Sequence, residues 1–526
     1  MSDLVLEETN TSRNGTELVG ESQDWGGNDY VFEVKTRLTS TGVTGIRGIG
    51  AVGAMGVEGR GIEAADGLAV DADDAVAVQA VSNRSAWALL RRPLFRALWI
   101  ASLTSSIGTW MHEVGAAWLM TSLTLSPVMV ALMQTAASLP IVLLALPAGA
   151  IADMFDRRRM LLFTQGWMLA SAAALGVFTV LGATTPWLLL ILTFALGAGA
   201  AMNAPAWQAT TPEAVPRTDL PAAVGLTGLG LNLARSVGPA VGGVILTATG
   251  AWAVFFLNAA SFLGVMVVLF RWRRGTQPTQ SPSKPLLSTI REGIRYASQA
   301  PALRAVLVRT GVFVPFASAI WALLPLLARY ELELNCFGYG TLFSFLGMGS
   351  VIGAIFLPKL RSHFSTDALV GGATIMFAAA TAALAEVRHF GLLCLILMVG
   401  GMAWITLMTS FNVATQTAVP SWIRVRALAL YLLIFHGGMA AGSVLWGAVT
   451  QHAGVAVALF GAAGGLLVSL VAMAWYPLGE SKQSDLTPST YLADRAAERN
   501  PRMSTLASPA LAMSNYRYAP VIRNTK

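Results

Sequence analysis

Charge is what this chain has least of. Only 12% of its 526 residues are Asp, Glu, Lys or Arg, against about a quarter in soluble domains, while 55% are hydrophobic. Its mean hydropathy is +0.60. That shortage excludes an ordinary soluble protein and implies one that lives in a lipid bilayer. Cysteine is nearly as scarce. Cys336 and Cys394 are the two in the chain, too few and too unevenly spaced for a disulfide framework or a cysteine-rich zinc site. The sequence also lacks a Cys/His cluster of metal-binding spacing, a Gly-x-x-x-x-Gly-Lys-Ser/Thr phosphate loop and a Gly-x-Ser-x-Gly nucleophile turn. No metal, no cofactor and no ATP hydrolysis of its own are therefore expected, and an enzyme is not the reading.

The net charge of +7 hides two unlike parts: residues 1–84 hold 6 basic and 14 acidic residues, which leaves 29 basic and 14 acidic for the remainder. Basic loops at one face of a membrane explain that excess, so it does not imply a nucleic-acid partner. Residues 1–84 are rich in Gly, Ser, Thr and acid without a sustained helical or strand period, and are expected to form a disordered extension. Whether translation begins nearer Val81 stays open.

Long apolar runs then follow in quick succession. They predict membrane helices near 97–120, 127–150, 160–182, 186–206, 221–248 and 251–271, each about 20 residues or more and thus able to span roughly 30 Å. A polar stretch and an amphipathic segment at 286–299, with Leu287, Ile290, Ile294 and Ala297 on one face, read as a surface helix in a linker. A second set is predicted near 305–328, 337–358, 368–386, 390–412, 426–450 and 454–476, and residues 478–526 read as a disordered polar tail. Arg157–Arg159, Arg217, Arg271, Arg273, Arg274, Lys359, Arg361, Arg424 and Arg426 all fall in alternate loops, which places those loops and both termini in the cytoplasm. Arg329 and Arg388 are exceptions near outward helix ends. The chain also repeats itself: Gly149, Ala214, Gly238, Gly243, Gly250 and Phe256 match Gly353, Ala418, Gly442, Gly447, Gly454 and Phe460 at a constant separation of 204. Two six-helix bundles, 91–274 and 304–477, joined by the linker 275–303, are the expected domains.

The charged knot between the second and third runs, Gly149-Ala-Ile-Ala-Asp153-Met-Phe-Asp156-Arg157-Arg158-Arg159, resembles the loop between helices 2 and 3 of the major facilitator superfamily. Met154 and Asp156 depart from its usual Arg and Gly. The wording Phe155-Asp156-Arg157-Arg158 is similar to the branch of enterobactin exporters and macrolide-efflux-like carriers, the transmembrane secretion effector type. Asn232-Leu-Ala-Arg235-Ser-Val-Gly238-Pro239-Ala-Val-Gly242-Gly243 likewise resembles the helix 5 motif of exporters in that superfamily. The resemblance implies an all-α integral membrane fold of 12 transmembrane helices in two repeats, with a substrate site near the midplane between them. It also implies that Gly149, Asp153, Arg157 and Arg158 form a conformational latch. Leu357 stands where the repeat would place a second Asp153.

Glu113 is the carboxylate predicted deepest in a helix, and buried charge is costly and usually functional. It is the candidate proton carrier; the alternative is a residue near the outer end that faces water or pairs with a base. Arg235 is a counter-ion for it, a binder of an anionic group, or a side chain reaching towards the inner face. The Gly238–Gly243 segment is either a hinge or plain close packing. Trp110, His112, Gln134, Gln165, Asn203 and His436 are cavity candidates, with His436 read first as a hydrogen-bonded packing residue. Gln208, Trp118 and Trp321 are further polar and flat side chains in or beside helices. These readings together describe a proton-coupled exporter of a small organic molecule, siderophore or drug-like, in the plasma (cell inner) membrane. An importer or uniporter is the alternative, and a membrane enzyme or sensor of the same fold a weaker one. Its partners would be substrate, protons and lipid; substrate identity and oligomeric state are not readable.

Overall fold

The computed structural model describes residues 18–21, 33–36, 86–154, 156–208, 210–272, 300–420 and 423–478. The chain divides into two compact units, 1–83 and 84–526. In the first, β1 (Leu18–Glu21) and β2 (Glu33–Thr36) pair antiparallel with Leu18 opposite Thr36. The sequence shows no strand period there, so this ladder is a departure from expectation; Val19 and Val34 supply the local β preference. The rest of the N-terminal extension, the linker helix expected at 286–299 and the tail past residue 478 lie outside the described residues.

Every described element of the second unit is helical. The long helices are α1 (Pro93–Leu123), α2 (Pro127–Met154), α3 (Arg157–Val180), α4 (Pro186–Gln208), α5 (Leu220–Thr249) and α6 (Ala251–Arg271). After the linker come α7 (Pro301–Glu331), α8 (Cys336–Arg361), α9 (Thr366–Glu386), α10 (Phe390–Thr417), α11 (Arg424–Ala453) and α12 (Val455–Trp475). Local chemistry fixes their ends. Pro93, Pro127, Pro186 and Pro301 open helices, where the missing N–H costs nothing. Asp156 and Asn335 cap α3 and α8 by accepting from the N–H groups of Arg159 and Gly338, both at 2.9 Å. Gly250 and Gly454 take φ of 99° and 87° in the abrupt turns from α5 to α6 and α11 to α12. A side chain would be strained at both, which explains why the repeat keeps glycine there.

Two helices differ from the expected straight spans. The helix of α7 is interrupted at Ser318, just after Pro315, and its last turn is a π turn over Leu327–Glu331. In α12 the break falls at Leu470. Eleven of the helices are long and apolar enough to cross a bilayer. The exception is α1, diluted by His112, Glu113 and the Ser and Thr residues between Ser102 and Thr109.

Packing order gives the architecture. Within the first half α2 packs on α4, α4 on α3, α3 on α6, α6 on α1 and α1 on α5. The second half repeats the same order: α8 on α10, α10 on α9, α9 on α12, α12 on α7 and α7 on α11. Two seams, α5 against α8 and α2 against α11, close these arcs into a ring. Each seam joins a helix to the repeat equivalent of the other seam's partner, as a pseudo-twofold relation between two halves requires.

Candidate functional site

Glu113 lies ten residues from the far end of α1, roughly 15 Å along the helix. Among the described residues it is the one carboxylate more than two turns from a helix end. Its side chain is accessible although its neighbours His112 and Val114 are buried. It also sits close enough to Arg235 of α5 for the two charges to attract, and its field reaches the buried Tyr339 of α8. Glu113 thus stands near charged and aromatic residues of both halves.

Arg235 completes this cluster from α5. Its guanidinium carbon stands 5.2 Å from the centre of the Trp110 ring, a cation–π distance, and its Nε is buried without a hydrogen-bond partner. Trp110 in turn lies 6.0 Å from Phe343 of α8, and Tyr339 is 6.2 Å from the same ring. Trp110 and Glu113 are three residues apart on α1 and therefore share a face. An acid, a base and three aromatic rings thus meet where α1, α5 and α8 converge.

The glycines of the α5 motif explain how closely these helices approach. A methyl group on Gly238 would lie 2.6 Å from Trp110 Cβ, and one on Gly242 would lie 3.0 Å from Met111 Cα, so both permit α5 to rest on α1. One on Gly243 would lie 2.9 Å from the carbonyl oxygen of Cys336 across the seam. Pro239 has no N–H to give to the carbonyl of Arg235, four residues back. It is against this carbonyl that Gly347 of α8 packs.

The sequence profile of the transmembrane secretion effectors matches residues 84–511. The chain belongs to that family. Enterobactin exporter EntS of Salmonella choleraesuis (strain SC-B67) is 27% identical over 77% of this chain and 98% of its own length. Multidrug efflux pump Tap of Mycolicibacterium fortuitum is 24% identical over 69% and 91% respectively. Among solved structures, a point mutant of the nucleoside transporter NupG superposes with a TM-score of 0.61 at 13% identity, covering 73% of this chain and all of the other. That likeness speaks to the fold alone. The chain is a multi-pass membrane protein of the major facilitator type, and not an enzyme.

The remaining candidates scatter. His112 is buried with its ring 4.7 Å from Phe255 of α6, inside the first half, and both ring nitrogens lack partners. Gln165 and Thr164 on α3 both donate to Asn203 Oδ1 on α4, at 3.3 and 3.0 Å, a clip between neighbouring helices. Gln134 donates to Ser138 one turn on. Beside it, Thr135 donates across the second seam to the carbonyl of Ala440 at 3.0 Å. His436 meets Phe435 edge-on, at 4.9 Å, with Nδ1 buried and unpartnered. Trp321 belongs to an aromatic group of the second half, 4.3 Å from Trp404 and 6.3 Å from Phe377. Gln208 is exposed at the end of α4.

At the arginine loop, Gly149 and Asp153 lie in the last turns of α2. Arg157 donates to Glu213 at 2.7 Å, and Arg158 donates to the carbonyls of Leu269 and Phe270 at the end of α6. Sequence reasoning missed two clusters. Arg329 at the far end of α7 donates to Ser122 at 2.7 Å and Thr121 at 3.2 Å, with its guanidinium 5.2 Å from the Trp118 ring centre. Tyr330 donates to the carbonyl of Thr121 at 2.8 Å, so α7 is tied to α1 across the halves. Arg309 is buried near the start of α7 and pairs with Asp367 of α9 at 2.5 Å; Asp367 also accepts from the N–H of Leu478 at 3.1 Å. The signal for Arg329 was present, since it broke the charge bias of the loops.

Proposed function

We propose that this chain is a proton-driven exporter of a small organic molecule, siderophore-like or drug-like, which works by rocking its two six-helix halves about the site at Glu113. The observation that carries the reading is the placement of Glu113, an accessible carboxylate at mid-helix beside Arg235 and the Trp110 ring. Such a group can take a proton from one side of the membrane and release it to the other. Its neutral form leaves Arg235 unpaired, so proton loading alters the charge that a substrate meets. The named activities of the EntS and Tap relatives support siderophores and drugs as the substrate classes. In this reading α1 is the twelfth crossing, both termini and the arginine loop face the cytoplasm, and Asp153 with Arg157 and Arg158 latches that side. In the same reading the contacts of Arg329 and Tyr330 with Ser122, Thr121 and Trp118, which tie α7 to α1, brace the outer side.

The test is uphill export by the full chain in liposomes under an imposed pH gradient, with a panel of siderophores and antibiotics. Glu113→Gln keeps the size and hydrogen-bonding capacity of the side chain but fixes it neutral. Coupled export per molecule should fall to the background of empty vesicles, while exchange of substrate without a gradient survives. Equal coupled rates for the two proteins would remove Glu113 from the mechanism.

A further inference from the structure

A second feature of the first half lies on helices that take no part in the Glu113 cluster. A groove runs between α3 and α4, lined by Phe163, Thr164 and Trp167 of α3 and by Ala198, Gly199 and Met202 of α4. Of about 450 Å³ within and in front of it, about 200 Å³ is wide enough for whole water molecules, so a chain of methylene groups can lie in it. Its walls are apolar. Phe163 and Trp167 are 63% and 46% exposed, so the groove opens on the surface of the bundle rather than on its core.

The walls are built to stay apart. Trp167 donates its Nε1 to the carbonyl of Ala195 at 2.7 Å, which fastens the indole across to α4. Gly199 makes room for that ring, since a methyl group there would lie 2.9 Å from Trp167 Cδ1 and 2.6 Å from Met168 Cγ. Thr164 donates its hydroxyl to Leu161 and Asn203, so no proton is left for an occupant. A polar molecule finds nothing to bond in this groove, whereas a hydrocarbon chain loses nothing by entering it.

One end of the groove is charged. Arg159, Phe163 and Trp167 follow one another on α3 at steps of four, so Arg159 stands one turn before Phe163, roughly 6 Å along the helix. The three arginines of that turn are employed differently. Arg157 pairs with Glu213 at 2.7 Å, and Arg158 donates to the carbonyls of Leu269 and Phe270, which leave its charge uncancelled. Arg159 is exposed, and among the described residues its guanidinium has no hydrogen bond or ion pair. Asp156 caps the helix through the backbone N–H of Arg159, not through its side chain. A free guanidinium at the head of an apolar groove on the lipid-facing surface matches an acidic headgroup carried on a hydrocarbon chain. We infer that the groove is a binding site for an anionic phospholipid of the leaflet beside the arginine loop, with its phosphate on Arg159 and an acyl chain laid between Phe163, Trp167 and α4. The charge of Arg158 next to it favours a net-negative headgroup over a zwitterionic one. The lipid tethers the third arginine of the run, as Glu213 and the end of α6 tether the first two.

The full chain is placed in nanodiscs of phosphatidylcholine with a minor fraction of phosphatidylglycerol that carries a diazirine in its acyl chain. After irradiation, adducts are mapped by peptide. Adducts at Phe163–Trp167 and Ala198–Met202 should exceed those on the similarly exposed face of α12 at Val457 and Phe460 about fivefold, the effect of about 1 kcal/mol per base at a membrane surface. The same diazirine on phosphatidylcholine should show no excess. Arg159→Gln should abolish the excess and Arg159→Lys should keep part of it, which separates a headgroup contact from a change of shape. Ala198→Phe, which fills the groove, should remove it with Arg159 intact. Equal labelling by the two lipids, or an excess that survives Arg159→Gln, would overturn the site and leave bulk lipid in the groove. Groove peptides shielded from both lipids, with chain-to-chain crosslinks formed there, would overturn it in favour of a second copy of this chain.

Discussion

The two halves of this protein share a packing order and a pair of glycine turns, yet their centres hold different chemistry. Counted from matched helix ends, Leu220 with Arg424 and Thr249 with Ala453, α5 and α11 are offset by 204, so Met439 and Ser443 occupy the places of Arg235 and Pro239. The ends of α1 and α7 match at 208 instead, which puts Trp321 where α1 has Glu113. One half therefore centres on an acid and a base, and the other on indole and thioether. Trp321 packs against Trp404 and Phe377 and is satisfied where it is. Glu113 is exposed, and Arg235 sets its cation over the Trp110 ring with Nε unpartnered. The repeat keeps glycine at the turns that set backbone geometry while the central side chains differ, so that one half carries charge and the other indole and thioether.

The sharpest way to break that difference is to give the first half the residues of the second. Arg235→Met should lower coupled export on the order of tenfold, since it removes the nearby base that favours the charged form of Glu113. The double variant Glu113→Trp with Arg235→Met tests whether charge is needed at all. It should insert and fold but show no response to a pH gradient in vesicle assays. A coupled rate within threefold of wild type in Arg235→Met would mean that the asymmetry has no part in transport.

The halves differ at their loop ends too. In the first half Arg92 meets Asp219 at 2.9 Å with the arginine side chain 46% exposed, whereas in the second Arg309 pairs with Asp367 with the arginine only 2% exposed. A partner lost from a buried base leaves a charge that water cannot reach, worth about 3 kcal/mol; an exposed pair is worth about 1 kcal/mol or less. Asp367→Asn should thus lower the thermal midpoint of the purified protein by several degrees and Asp219→Asn by little, read side by side in one detergent. Equal shifts would show that the buried clasp is no stronger than the exposed pair.

How much of this was legible in sequence follows the same division. The apolar runs located every long helix to within a few residues, because span length and hydropathy are local properties. Gly250 and Gly454 were legible as a repeat, and their positive φ angles supply the reason for it. The kink of α7 was not, since Pro315 reads like the prolines that α2 and α4 hold inside continuous helices. Pairs between distant elements were not legible either: Arg309 finds Asp367 across 58 residues and Arg329 finds Ser122 across 207. Arg329 and Arg388 did stand out by breaking the charge bias. Both have partners, Ser122 and Thr121 for one and Glu331 for the other. Glu113 was readable as an isolated acid, but the Trp110 ring under Arg235 needed the fold.

The smallest effect is expected at Pro239, and it separates two roles that helix geometry alone leaves together. In α11 the equivalent Ser443 donates its hydroxyl to the carbonyl of Met439 at 2.7 Å, so that carbonyl is occupied. In α5, Pro239 has no N–H for the carbonyl of Arg235, which stays available where Gly347 presses on it from α8. A helix with one bond missing bends at lower cost, and here the missing bond lies on the seam between the halves. Pro239→Ser would close it as in α11. If the gap serves motion, turnover should fall about two- to fivefold with KM unchanged, and the thermal midpoint should hold or rise because the helix regains a hydrogen bond. If the gap serves only the fit of α5 against α8, turnover should be kept and the midpoint should drop, as a straightened α5 shifts the Arg235 carbonyl against Gly347. Initial export rates across a range of substrate concentrations, measured beside a melting curve of the same preparation, distinguish the two. A variant that matches wild type in both would leave the proline without a role at the seam.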